Sequence, residues 1–267
     1  MIICTGVSGF IGRHLTKALN ADWVPGQVPL LREADALIHL GGISDTTCKD
    51  EQRLIEANVK LTLELADSAA DAGIPFIYAS SASIYGNGRG PLNAYARSKA
   101  AIDASMANRS DEWYGLRLFN VYGDGEGKKG DQASMVYKAV WSHRNGKTPE
   151  FFTPKARRDY VHVSDVVKVI LWFVRTCPRS GVYDVGTGES TSIKEVCDLA
   201  QDISPFIRRM AATEMRGMYK HPSLTEIPVP SHMFCACQMD TKADLTRLRS
   251  IGYDAPFLSL EEGIKLL

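Results

Sequence analysis

Tyr95 and Lys99 stand four residues apart in AYARSKAAID, a spacing that sets two side chains on one face of a helix. A phenol with a pKa of about 10 is a poor base at neutral pH. A lysine one turn away stabilises the phenolate, which can then take the proton of a hydroxyl group while hydride leaves the same carbon. Alone, Tyr-x-x-x-Lys also describes an ordinary surface pair. A second group supports it. The run YASSASIYG (78–86) continues an apolar segment into a serine-rich turn, the place where α/β proteins put ligands. Ser81 can donate a hydrogen bond to the oxygen that Tyr95 deprotonates. Ser83 lies two residues on, and the plainer reading of both serines is a turn that caps backbone groups.

Gly6, Gly9 and Gly12 lie in TGVSGFIG, between an apolar run and a helical pattern. The first glycine allows a tight turn, and the second lets backbone approach a pyrophosphate. The third lets the helix pack on the strand, with the helix N-terminus facing the phosphates. The spacing is GxxGxxG rather than GxGxxG, and a glycine-rich turn without a ligand is the alternative.

The elements that must position these groups alternate. IICT (2–5) reads as a strand, 10–20 as a helix, ADALIHLGG (34–42) as a strand and 51–72 as a long amphipathic helix ended by Gly73. IPFIYASS (74–81) reads as a buried strand, 94–108 as a helix and WYGLRLFN (113–120) as a strand. A glycine- and charge-rich loop follows at 123–131, then a helix to about His143. Residues 159–176 read as strand, Ser164 cap and helix, and 181–186 as a strand. This order argues for a Rossmann-type, doubly wound parallel sheet with a smaller C-terminal lobe. The expected division is 1–122 plus 155–186 for the dinucleotide-binding domain, and 123–154 plus 187–267 for the substrate lobe. The fold is expected to be trimmed around the second strand. Only ADWVPGQVPLLRE separates Asn20 from Ala34, too short for strand–helix–strand. The acidic or basic residue that usually reads the adenosine ribose is missing, so NAD and NADP both stay open. Arg13 and Arg32 are candidate 2′-phosphate contacts.

The bulk numbers suit a globular protein: 267 residues, 45% hydrophobic, 23% charged and zero formal net charge. Nothing in them points to nucleic acid, and no apolar run is long enough for a bilayer. The first residues read as a strand rather than a secretory leader. The six cysteines form no CxxC pair and no zinc pattern, so no metal is expected and a reduced cytoplasmic setting is.

TGVSGFIG, HLGG (39–42), SSASIYG (80–86), YARSK (95–99), LFNVYG (118–123) and RDYVHVSDV (158–166) occur in the order of the extended short-chain dehydrogenases/reductases, and the chain resembles that family. IPFIYASSASIYG, PLNAYARSK, FNVYGDGEGKKGDQAS and DLTRLRSIGYDAPF look like its ADP-heptose 6-epimerase branch. The resemblance implies an NAD- or NADP-dependent epimerase acting on a nucleoside-diphosphate sugar by transient oxidation and re-reduction, and a homo-oligomer. A net reductase and a non-catalytic nucleotide-binding relative are the alternatives. A 4,6-dehydratase is disfavoured, because no Asp or Glu lies between Ser81 and Tyr95.

Residue by residue, the resemblance implies catalytic roles for Ser81, Tyr95, Lys99 and Lys129. It implies cofactor contacts from Gly6, Ser8, Gly9, Phe10, Ile11, Gly12, Leu40, Gly41, Gly42, Asn58, Tyr95, Lys99 and Val121. Substrate contacts fall to Ser81, Ser83, Asn120 and Arg158. Lys129 matches a second acid/base, which suits a reaction that inverts a carbon. Two departures stand out: a shortened stretch between Tyr85 and Tyr95, and Ala236–Cys237 where relatives carry Arg-Tyr.

Overall fold

The computed structural model describes residues 1–19, 23–25, 28–152, 155–204, 223–228 and 238–267, with backbone alone at 23–25 and 28–30. Asn20 and Ala236–Cys237 lie outside the described residues. In chain order the first half holds β1 (Ile2–Thr5), α1 (Phe10–Leu19), β2 (Trp23–Pro25) and β3 (Ala36–His39). A helical run follows as α2 (Glu51–Leu54), a π-helical turn (Ile55–Lys60) and α3 (Leu61–Ala72). Then come β4 (Phe76–Ser81), α4 (Ala94–Met106), β5 (Trp113–Leu118), β6 (Asn120–Tyr122) and α5 (Met135–Arg144). The second half adds β7 (Glu150–Phe151), β8 (Arg157–Arg158), β9 (Tyr160–His162), α6 (Val163–Thr176), β10 (Gly181–Val185), β11 (Thr191–Ser192) and α7 (Ile193–Ile203). β12 (Thr225–Glu226), α8 (Thr246–Ser250) and α9 (Leu260–Lys265) close the order.

The main sheet is six-stranded and parallel, in the order β10-β5-β4-β3-β1-β2. Successive side chains on a strand face opposite ways, and the two cores follow that alternation. Cys4, Ile38 and Ile77 pack with Leu15 of α1 and Ile170 and Phe173 of α6. Their neighbours Ile3, Leu37 and Phe76 pack with Ala66 and Ala69 of α3 and Ile102 and Met106 of α4. The sheet is thus covered on both faces, as the doubly wound reading requires. A third core gathers Tyr122, Val136, Val196 and Ile264 from α5, α7, α9 and their surroundings.

Three local expectations are corrected. The second strand is not lost: β2 pairs in parallel with β1, Ile3 opposite Val24, and extends the sheet by three residues. What is shortened is its connection to β3, where a 3-10 turn (Val28–Glu33) stands in place of a full helix. The 51–72 helix is interrupted by the π-helical turn, a widening often found at functional sites. Finally, α6 is capped by His162, whose ring accepts the amide of Ser164, so Ser164 is not itself the cap. Among the described residues, no helix is long and apolar enough to cross a membrane.

Candidate active site

A cavity of about 350 Å³ opens where β1, β3, β4 and β5 end. The strand ends deliver Gly6, Leu40, Ser81 and Phe119 to its walls, and the loop before α5 delivers Lys129. Of the residues singled out from sequence, Gly6, Gly9, Phe10, Ile11, Gly12, Leu40, Gly41 and Gly42 line it, with Ser81, Tyr95, Lys99, Asn120, Val121 and Lys129.

The glycine loop is shaped by close backbone approaches. Gly6 has φ +73, and a Cβ there would sit 2.4 Å from Gly41 N. A Cβ on Gly12 would sit 2.2 Å from Gly6 O, so α1 can pack this tightly only on a glycine. Gly9 differs, because its Cβ would meet only Gly6 O, at 3.1 Å, and its open side faces the cavity. The first turn of α1 carries no acidic residue, and its leading amides have no intrahelical acceptor. Backbone donors, a positive helix end and an open glycine form a cradle that fits a pyrophosphate.

Tyr95 is placed by its helix start. Asn93 caps α4, accepting the Ala96 amide at 2.8 Å, and puts Tyr95 in the first turn. Burial pushes the Tyr95 phenol up from its ordinary pKa, and hydrogen bonding with Ser81 pulls the other way. Lys99 is buried on the same helix, and its Nζ donates to Ala79 O at 2.8 Å. Its ammonium is therefore engaged by β4 backbone. In the protein alone burial outweighs Ser81 and favours the neutral phenol.

Burial lowers Lys99 to about 8, with the Asp103 carboxylate pulling it back up. The unfolded chain holds this proton to about 10.5, so between about 8 and 10.5 it binds more protons than the fold, and stability rises with pH there. Lys99→Met is expected to gain on the wild type below pH 8. Its relative stability should fall by about 3 kcal/mol as pH rises through that window, at about 1.4 kcal/mol per pH unit. Urea melts of cofactor-free protein at pH 7 and pH 10 measure this, and a pH-independent difference would refute it.

Lys129 lies between two partners. Its Nζ is 2.9 Å from Glu126 Oε1 and 5.0 Å from the Phe10 ring centroid. Glu126 is fully buried and also accepts Ser134 N at 2.6 Å and Ser134 Oγ at 2.8 Å. One carboxylate thus fixes both the lysine and the start of α5. Sequence reasoning missed Glu126, although its place three residues before Lys129 in a glycine-rich loop was the available signal. It also missed the cavity-lining Ile43, Thr46, Gln132 and Ser134.

Four of the singled-out residues do not line the cavity. Asn58, in the π-helical turn, is buried and bonds Ile43 N at 2.8 Å, Ile43 O at 3.1 Å and Ser98 Oγ at 3.1 Å. It ties the loop after β3 to α4, so it acts on the cavity through those neighbours. Gly42, at φ +119, permits this, since a Cβ there would lie 2.6 Å from Asn58 Oδ1. Ser83 donates its amide to Ser81 Oγ at 3.2 Å and so orients Ser81. Ser8 offers its carbonyl to Arg13 at 2.7 Å. Arg158 on β8 donates to the carbonyls of Arg157 and Gln238.

His39, beneath Gly41, is held by Thr5 Oγ1 at 2.6 Å, and burial lowers it to about 4. It stays neutral at physiological pH and serves as packing under the loop. Among the described residues, no group of three or more His, Cys, Asp or Glu could hold a metal ion.

The sequence profile of the NAD dependent epimerase/dehydratase family matches residues 27–186. Several solved structures share the fold. UDP-N-acetylglucosamine 4-epimerase from Methanobrevibacter ruminantium is 18% identical with a TM-score of 0.83, covering 99% of this chain and 96% of that one. ADP-L-glycero-D-manno-heptose-6-epimerase from Helicobacter pylori is 25% identical with a TM-score of 0.80, covering 99% and 94%. UDP-glucose 4-epimerase from Thermus thermophilus, solved with NAD, is 21% identical with a TM-score of 0.76, covering 99% and 96%.

Proposed function

We propose, given that this chain belongs to the NAD dependent epimerase/dehydratase family, that it is a nucleotide-sugar epimerase, with an ADP-heptose-like sugar as the leading substrate class. The observation that carries this reading is the make-up of the cavity. Tyr95 and Lys129, two groups able to exchange protons, line it together with Ser81 and with Lys99, whose Nζ is held by Ala79 O, and no described carboxylate does. A dehydratase needs an acid to expel water, whereas an epimerase needs proton donors for a carbonyl oxygen.

A nicotinamide dinucleotide, when bound, would supply reversible hydride transfer at a sugar carbon. Gly6, Gly9, Gly12 and the N-terminus of α1 would hold its pyrophosphate, with Leu40, Gly41, Gly42 and Val121 beside it. Beside a bound, positively charged nicotinamide the Lys99 ammonium would favour the Tyr95 phenolate, which removes the hydroxyl proton while Ser81 steadies that oxygen. Lys129 supplies a proton when the carbonyl is reduced from the other face. Asn120, held by Asp159 O through its Nδ2 at 3.2 Å, borders the sugar. Residues 123–154 and 187–267 serve as the substrate lobe. Ile55 and Leu61, each more than 40% exposed on the helical run, provide a face for self-association.

The test is incubation with ADP-, GDP-, UDP- and dTDP-sugars and cofactor below the sugar concentration. The expected result is an epimer with no net change in absorbance at the nicotinamide wavelength. Lys129→Met should slow epimer formation about 100-fold. Stoichiometric cofactor consumption, or loss of water from the sugar, would overturn the proposal.

A further inference from the structure

A second cavity, of about 590 Å³, is bounded by α4, β5 and the start of β10, and shares no lining residue with the first. Its volume lies within the roughly 300–1,000 Å³ typical of small-molecule sites. Arg117, Arg179 and Arg247 line it against one carboxylate, Asp103. That carboxylate is already engaged: Oδ1 accepts Tyr78 OH at 3.0 Å and Oδ2 accepts Arg117 Nε at 2.8 Å.

The described arginine ion pairs belong to Arg97, Arg109, Arg117 and Arg157. Arg179 and Arg247 therefore face this space without an acidic partner among the described residues. Arg247 is nonetheless held, its guanidinium 5.0 Å from the Tyr183 ring centroid. Gly181 makes the room, since a Cβ there would lie 2.1 Å from Arg247 Nη2. Another wall includes Trp113, only 5% exposed, whose indole N–H has no acceptor. Small residues of α4, Ala100 and Ala104, leave the space open.

Arg179 and Arg247 bring two guanidinium forks without an acidic partner among the described residues, beside Arg117, whose Nε is on Asp103 and whose Nη1 donates to Tyr85 OH at 2.8 Å. Such forks match phosphate oxygens in geometry and charge. We propose that this cavity is a second ligand site, separate from the cofactor cleft, that takes a compound bearing a di- or polyphosphate group. The proposal does not depend on the epimerase reading. Its wall residue Asp103, held by Arg117, stands one turn beyond Lys99 on α4.

The test is calorimetric titration of cofactor-saturated protein with inorganic pyrophosphate at low salt. The wild type is expected to bind one equivalent outside the cofactor cleft. Arg179→Ala/Arg247→Ala should weaken that binding at least tenfold. Ala104→Glu, an exposed helix position suited to glutamate, should abolish it while the melting temperature holds. Lys129→Met, which alters only the first cavity, should leave it unchanged. Absence of binding by the wild type, equal affinity in both cavity variants, or loss on Lys129→Met would each overturn the proposal.

Discussion

Tyr95→Phe is expected to lower turnover by about three orders of magnitude, within the range of about 10²–10⁴ that a positioned acid/base contributes. The melting temperature should change little. The ring stays buried at the start of α4, where the backbone contacts that hold it do not involve the phenol oxygen. Asn93 caps the helix through Ala96 N, and Ser98 Oγ bonds the Tyr95 carbonyl at 2.7 Å. Losing one hydrogen bond to Ser81 costs about 1 kcal/mol. Cofactor affinity should also survive, because the glycine loop and Lys99 are untouched. Steady-state turnover on the substrate found in the sugar screen, set beside cofactor dialysis, separates these effects. A variant retaining a tenth of wild-type turnover would remove Tyr95 from the chemistry.

The doubly wound sheet and most of the cavity were legible because both depend on short-range sequence patterns. Short continuous apolar runs such as ALIH, buried on both faces, mark the strands, with Leu37 and Ile38 going to opposite cores, and the glycine spacing marks the tight turn after β1. β2 was not legible. Three residues that end in Pro25 and are followed by Gly26 carry no periodicity, and it is pairing with the edge of β1 that makes them a strand. The π-helical turn was hidden for a similar reason. It leaves the apolar spacing of 51–72 nearly intact, and it shows only in what Asn58 reaches. Asn58 and Arg158 could be singled out by the resemblance, but not by direction: Asn58 bonds Ile43 and Ser98, and Arg158 donates to the carbonyls of Arg157 and Gln238. Glu126 was missed because a glutamate in a charged loop looks solvated, and only the fold buries it under Lys129.

The glycines allow the packing role and the ligand role of this loop to be separated. Gly6→Ala should fail on both counts. Its φ of +73 is a left-handed conformation, which costs a residue with a Cβ about 1–2 kcal/mol. The new Cβ would also lie 2.4 Å from both Gly41 N and Leu40 C. These are backbone atoms of the facing loop, so relief requires moving that loop rather than rotating a side chain. Overpacking of this kind costs about 1–3 kcal/mol more. The entropy that alanine removes from the unfolded chain, under about 1 kcal/mol, cannot offset the sum. The net loss is about 3 kcal/mol, or roughly 10 °C in Tm, and cofactor binding goes with the displaced loop. Gly9→Ala should behave differently. Its Cβ meets a single protein atom at 3.1 Å and otherwise projects into the cavity. The melting temperature should stay within a few degrees while cofactor affinity drops at least tenfold, because the methyl group occupies the pyrophosphate's place. Melting curves and equilibrium dialysis on the two variants decide the matter. If Gly9→Ala binds cofactor as the wild type does, the loop is a turn built for packing alone, and the cradle assigned to it is wrong.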